Sequence, residues 1–172
     1  MSTWGAVALL LVTAAAFAQK AGEPAPKWTI TDARGLKKET KLEDFKGKWV
    51  VIDFFGHWCK PCVGVGLPHL MEFYEEHADQ RDQFVIIAWH EPAIADFAAL
   101  DKKLEPIEKK LWNGKKLPFP IVLDSSGDTL KAYNVRAFPT IVLIDPDGKI
   151  ANVEVGARGD TEKLLASKLK KR

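Results

Sequence analysis

Two runs of apolar residues, WVVIDFF at 49–55 and FVIIAW at 84–89, constrain the fold of this chain more than any other feature. Each is rich in β-branched and aromatic residues, and only Asp53 interrupts them; that is the pattern of strands covered on both faces. The stretch between them, 56–83, is long enough for a helical crossover, so the two strands are expected to lie parallel and side by side. From Pro61 to about Ala78, Leu67, Leu70, Met71, Phe73 and Tyr74 recur at helical spacing, with Glu72, Glu75 and Glu76 elsewhere on the surface.

The remaining pattern extends this unit. A short strand at Trp28-Thr29-Ile30 and a turn precede the first run, and KLEDFKGK forms one helical turn closed by Gly47. From Ala93 to Trp112, Ile94, Phe97, Leu100, Leu104, Ile107 and Leu111 mark an amphipathic helix interrupted near Pro106. FPIVLD (119–124) reads as a strand, SSGD as a turn and TLKAYNV as a short helix. FPTIVLID (138–145) and IANVEV (150–155) form a hairpin about Asp147-Gly148. A last helix starts near Asp160, a plausible N-cap. The expected fold is α/β, a central mixed sheet flanked by helices, with a helical insertion between the βαβ unit and the C-terminal hairpin.

The length of 172 residues suits one ordinary domain. A net charge of +2 and interspersed lysines argue against a nucleic-acid partner. Residues 5–18, GAVALLLVTAAAFA, are uncharged, too short to span a bilayer, and end in Ala-Phe-Ala. Residues 1–18 are therefore expected to be an export leader, or a retained anchor if uncleaved; 19–27 form a polar linker and 28–172 the domain.

The only two cysteines, Cys59 and Cys62, lie where the first apolar strand gives way to the helix. At a helix start, unpaired N–H groups and the positive dipole end stabilise a thiolate, which makes Cys59 the attacking group. Cys62, one turn on, falls on the same side and could resolve a mixed disulfide. Pro61 fits the first helical turn, where its missing N–H costs nothing. A metal site would need further soft or imidazole ligands; with no third cysteine, only distant histidines from His57, His69, His77 and His90 could supply them. A purely structural disulfide stays open on these residues alone.

WVVIDFFGHWCKPC, followed by VRAFPTIVLID and PDGKI, resembles the thioredoxin superfamily, and more closely its exported TlpA/ResA-like thiol-disulfide oxidoreductases, from about Pro26 onward. The resemblance implies Cys59 as nucleophile, Cys62 as buried resolving thiol, and Asp53 as the buried acid that handles the proton of Cys62. It implies that Pro139 is cis and faces the cysteines, so that the backbone of Phe138 pairs with an extended substrate; the residues alone favour an ordinary strand-start proline. Asp53 lies in an apolar strand, where burial should raise its pKa.

Trp58, with Lys60 and Pro61, is expected to shape the substrate surface. His57 and Lys60 either add positive character beside Cys59 or are plain surface residues, and Glu91 is either an acid near the cysteines or an exposed loop residue. VGVGLPHL carries two glycines and places Pro68 nine residues after Cys59, one further than the resemblance leads one to expect, so a local bulge or loosened turn is expected there. The segment from about Ala93 to Leu117 either covers the substrate surface or ornaments the sheet edge.

The function these features imply is exchange of the Cys59-Cys62 pair with disulfides of exported proteins, as a monomeric, periplasmic or otherwise extracytoplasmic reductase. It would use a redox partner protein, no cofactor and no metal. The alternative is a non-catalytic binding module of the same fold. A peroxidase is disfavoured because Pro-x-x-x-Thr-x-x-Cys is missing before Cys59.

Overall fold

The computed structural model describes residues 21–171. The expected leader, 1–18, and the first two positions of the expected linker lie outside the described residues. In chain order the elements are β1 (Asp32–Arg34), β2 (Trp49–Phe55), α1 (Leu67–Glu76), β3 (Phe84–His90), α2 (Phe97–Leu111), β4 (Ile121–Leu123), α3 (Asp128–Ala132), β5 (Thr140–Ile144), β6 (Ile150–Val155) and α4 (Asp160–Lys168). A 3-10 turn at Leu42–Phe45 precedes β2, and a π-helical turn at Cys62–Gly66 leads into α1.

The sheet has the order β1-β4-β3-β2-β5-β6. β2 and β3 are parallel, in register from Trp49↔Phe84 to Phe55↔His90, as two fully covered apolar runs joined by a helix require. β4 is parallel to β3, so the segment carrying α2 is a second crossover. β5 runs antiparallel to β2, and β6 closes the hairpin. Alternation along β2 builds two cores. Val51 and Phe55 join Leu67, Leu70, Leu100, Leu104 and Leu165 on the face of α1, α2 and α4, whereas Val50, Ile52 and Phe54 join Trp89 and Tyr133 on the other.

Several local expectations are corrected. No strand forms at Trp28–Ile30; the edge strand is Asp32–Arg34, antiparallel to β4. Trp28 and Ile30 are apolar because they cover the second core, with the Trp28 indole donating to the carbonyl of Thr40 at 2.8 Å. Pro106 does not interrupt α2. Lys102, whose carbonyl loses its partner, and Pro106 both lie on the exposed side, where water can take the unused acceptor. The segment is not an edge ornament: Leu100, Leu104 and Trp112 are buried in the same core as α1.

At α4 the cap position belongs to Gly159, which takes a left-handed φ of 77°. The buried carboxylate of Glu154 caps the helix in place of Asp160. It accepts from the backbone N–H groups of Arg158, Gly159 and Thr161 and from the Thr161 hydroxyl.

Candidate active site

β2 delivers the chain to a tight turn in which the N–H of Cys59 donates to the carbonyl of Gly56 at 3.0 Å, leaving His57 and Trp58 at the corner. The Trp58 ring folds back over Gly56 so closely that a Cβ there would lie 2.8 Å from it, so any side chain at 56 would have to push the indole aside. Trp58 is 58% exposed, stands edge-on to Phe138 with ring centres 5.7 Å apart, and donates to Glu91 Oε1 at 3.4 Å. Lys60 and Pro61 are exposed beside it.

Cys59 and Cys62 form a disulfide. Cys59 is 4% exposed and Cys62 fully buried. The backbone N–H of Cys62 donates to Cys59 Sγ at 3.3 Å, so an amide of the first turn already points at the sulfur that would carry charge after reduction.

The helix then loosens, as its glycines and Pro68 lead one to expect. The N–H of Leu67 reaches back five residues to the carbonyl of Cys62, a π turn. The carbonyl of Val63 is left over, because Leu67 has gone elsewhere and Pro68 has no N–H. The buried indole of Trp112, at the end of α2, fills the gap by donating to it at 2.8 Å. The second crossover thus fastens the helix that carries Cys62.

The Phe138–Pro139 peptide bond is cis. Pro139 is buried, its Cγ is 3.7 Å from where a Cβ on Gly66 would stand, and its carbonyl accepts from the N–H of Gly156 at 2.9 Å.

Asp53 is fully buried, and neither carboxylate oxygen has a hydrogen-bond partner among the described residues. Burial, reinforced by the charges of Glu162 and Glu154, pushes its pKa up to about 8. Glu162, part-buried on α4, is also pushed up, chiefly by burial.

Glu91 is only 9% exposed. Besides the Trp58 indole it accepts from the N–H of Ala93 at 3.0 Å, and its own N–H donates to the carbonyl of Phe55 at 2.9 Å. Glu91 is therefore not an exposed loop residue; its carboxylate is held against the indole of Trp58, the residue preceding Cys59.

His57 is part-buried and meets His90, a fully buried residue that the sequence pattern did not single out. His57 Nδ1 and His90 Nε2 are 3.2 Å apart, with ring centres 5.3 Å apart and planes 8° from parallel, so the rings meet edge to edge, nitrogen facing nitrogen. His57, His90 and Glu91 bring three donor atoms within 4.8 Å of one another, as a cation site would. The backbone N–H of His57 also points at His90 Nε2, at 3.3 Å, so that lone pair is already engaged and the arrangement is a hydrogen-bonded pair. The signal for His90 lay in strand alternation, since it follows Ile86 and Ala88 on the face of α1. Trp112 carried no comparable signal.

The arrangement suits thiol-disulfide exchange: a nearly buried disulfide at a helix start, a carboxyl of raised pKa beneath the sheet, and an aromatic platform at the surface. A family model described as redoxin matches residues 20–169. The chain is 34% identical over 150 residues to thiol-disulfide oxidoreductase ResA of Bacillus thuringiensis, covering 87% of this chain and 77% of that one. It is 32% identical to ResA of Geobacillus kaustophilus, over 85% and 76% of the two chains. Among solved structures, the thioredoxin domain of a thiol-disulfide oxidoreductase from Bacteroides vulgatus aligns with a TM-score of 0.66 at 27% identity, over 88% of this chain and 99% of that one. A thiol:disulfide interchange protein from Bacteroides sp. aligns at 0.62 and 30% identity, over 88% and 90%.

Proposed function

Because this chain belongs to the redoxin family and is a thiol-disulfide oxidoreductase of the ResA-like kind, we propose that it reduces disulfides of exported proteins through Cys59 and Cys62. The observation that carries the assignment of roles is the Cys62 N–H aimed at Cys59 Sγ, with Cys62 itself fully buried. Reduced Cys59 attacks the substrate disulfide as a thiolate, forming a mixed disulfide and releasing one substrate thiol. Cys62 then loses its proton and attacks Cys59 Sγ, which closes the internal disulfide and releases the second substrate thiol. Two electrons and two protons pass to the substrate, and an external dithiol protein restores the pair.

Asp53 handles the proton of Cys62, since an acid group near 8 is well matched to a thiol. Trp58, Lys60, Pro61 and Phe138 form the docking surface, where an extended substrate segment adds beside the backbone at Phe138 next to cis-Pro139. Reductive direction follows the Lys60-Pro61 dipeptide by resemblance. Residues 1–18 act as the export leader, and 28–172 work as one monomeric domain in the periplasm or another extracytoplasmic space, without cofactor. Among the described residues no helix is long and apolar enough to cross a membrane.

Insulin reduction in the presence of a dithiol tests the activity, and turnover no faster than the dithiol alone would favour a structural disulfide. Cys62→Ser is expected to trap substrate on Cys59. Accumulation of adducts on Cys62 in Cys59→Ser would reverse the roles.

A further inference from the structure

We propose that buried His90 is a positioning residue for the attacking cysteine: its Nε2 accepts the backbone N–H of His57 and so fixes the peptide group whose carbonyl holds the N–H of Cys59. This rests on Cys59 being the nucleophile, as proposed above.

The corner between β2 and the helix is held through one peptide group. The Gly56 carbonyl accepts from the Cys59 N–H at 3.0 Å, and the His57 N–H donates to His90 Nε2 at 3.3 Å. That carbonyl and that N–H are the two ends of the planar Gly56–His57 peptide, so orienting either end orients the other. The His57 N–H lies beyond the sheet ladder, because pairing of β2 with β3 ends at Phe55↔His90. The buried imidazole takes the place that a ladder carbonyl would fill.

Two obligatory groups make His90 an acceptor at that atom. Its Nδ1 faces the carbonyl of Glu91 at 2.7 Å, which can only accept, and its Nε2 faces an amide, which can only donate. The hydrogen therefore sits on Nδ1 and the lone pair on Nε2. Burial holds the pKa of His90 below the usual histidine value, which keeps the imidazole neutral and the lone pair in place. The ring is a firm anchor. His90 is fully buried, pairs with Phe55 of β2 on one side and Leu123 of β4 on the other, and stands edge-on to the Phe55 ring with centres 5.0 Å apart.

The next residue steadies the other half of the corner. Glu91 accepts from the Trp58 indole at 3.4 Å and from the Ala93 N–H at 3.0 Å. The last residue of β3 and the one after it thus hold both residues between Gly56 and Cys59, His57 by its backbone and Trp58 by its ring. The His57 ring adds a second contact to the same His90 nitrogen, with Nδ1 3.2 Å away.

The test uses the full chain. Nitrogen-15 NMR of labelled histidines is expected to show His90 bare at Nε2 and protonated at Nδ1. His90→Leu removes the acceptor, whereas His90→Gln offers an amide oxygen near the position of Nε2. In His90→Leu, amide hydrogen exchange at His57 and Cys59 is expected to speed up about tenfold and kcat/KM for insulin reduction to fall about tenfold, the effect of losing one buried hydrogen bond. His90→Gln is expected to bring both back to within about threefold of the unsubstituted protein. A hydrogen on Nε2 of neutral His90, or Cys59 amide exchange unchanged in His90→Leu, would overturn the proposal. Equal losses in His90→Leu and His90→Gln would overturn it too, by making His90 a packing residue only. The tautomer decides even if His90→Leu fails to fold. Insulin reduction by the unsubstituted protein no faster than by the dithiol alone would instead remove the reading of Cys59 as nucleophile, a failure that the exchange rates at the corner do not share.

Discussion

At position 53 a carboxyl group lies inside the sheet with neither oxygen hydrogen-bonded among the described residues, and a pKa near 8 follows from its burial. In the unfolded chain the same group titrates near 3.8. Between those values the folded state holds more protons than the unfolded one, so this group makes stability fall as pH rises from about 4 to about 8. Asp53→Asn is expected to remove that fall and to be more stable than the parent at pH 8 by on the order of 5 kcal/mol. Urea titrations at pH 5, 7 and 9 check it; parallel pH dependence in both proteins would refute the protonated, buried acid. The same substitution should slow release of substrate from Cys59. Asp53 was legible in sequence because its neighbours Val51, Ile52, Phe54 and Phe55 leave no polar face. His90 was not: a histidine closing an apolar strand could be a buried partner or a loop residue, and only the Gly56–Cys59 turn brings His57 to it.

Glycine and proline decide how the helix after the cysteines is built. Gly64, Gly66 and Pro68 weaken regular hydrogen bonding, and the result is a π turn whose spare carbonyl, that of Val63, is taken by Trp112. Trp112→Phe keeps most of the apolar volume but leaves that buried carbonyl unpaired, at a cost of about 1–3 kcal/mol. Chemical denaturation checks the loss, and unchanged stability would mean that the indole hydrogen bond contributes nothing. The loosened turn could be anticipated from VGVGLP. The residue that satisfies it could not, since Trp112 lies 49 positions away and looks like any apolar residue ending an amphipathic helix. The same limit applies to α4, where Asp160 carries the local signal for a cap and Glu154, from the preceding strand, takes the role.

Across the whole molecule the N-terminal stretch does more than lead into the domain. Residues 22–26 lie against the β5–β6 turn, at the opposite end of β5 from Pro139. Gly22 N–H donates to the carbonyl of Ile150, Ala25 N–H to that of Gly148, Ile150 N–H to that of Glu23, and the hydroxyl of buried Tyr133 to that of Pro26. Truncation through Pro26 is expected to cost about 1–3 kcal/mol, because it orphans the Tyr133 hydroxyl, while leaving insulin reduction intact. Thermal melting and the activity assay read the two effects separately, and loss of activity in a folded truncation would refute the separation.

The two apolar runs, with a helix-length segment between them, determined parallel pairing and the covered sheet, because alternation and crossover length are local properties of the chain. The Cys-Lys-Pro-Cys spacing likewise determined where the disulfide lies, at the start of the helix after β2. Strand order, the second crossover under α2, the Val63–Trp112 hydrogen bond and the His57–His90 pair were decided only by the tertiary structure. Each joins groups far apart in sequence, and a polar group's partner is chosen by which donor or acceptor the packed core leaves within reach.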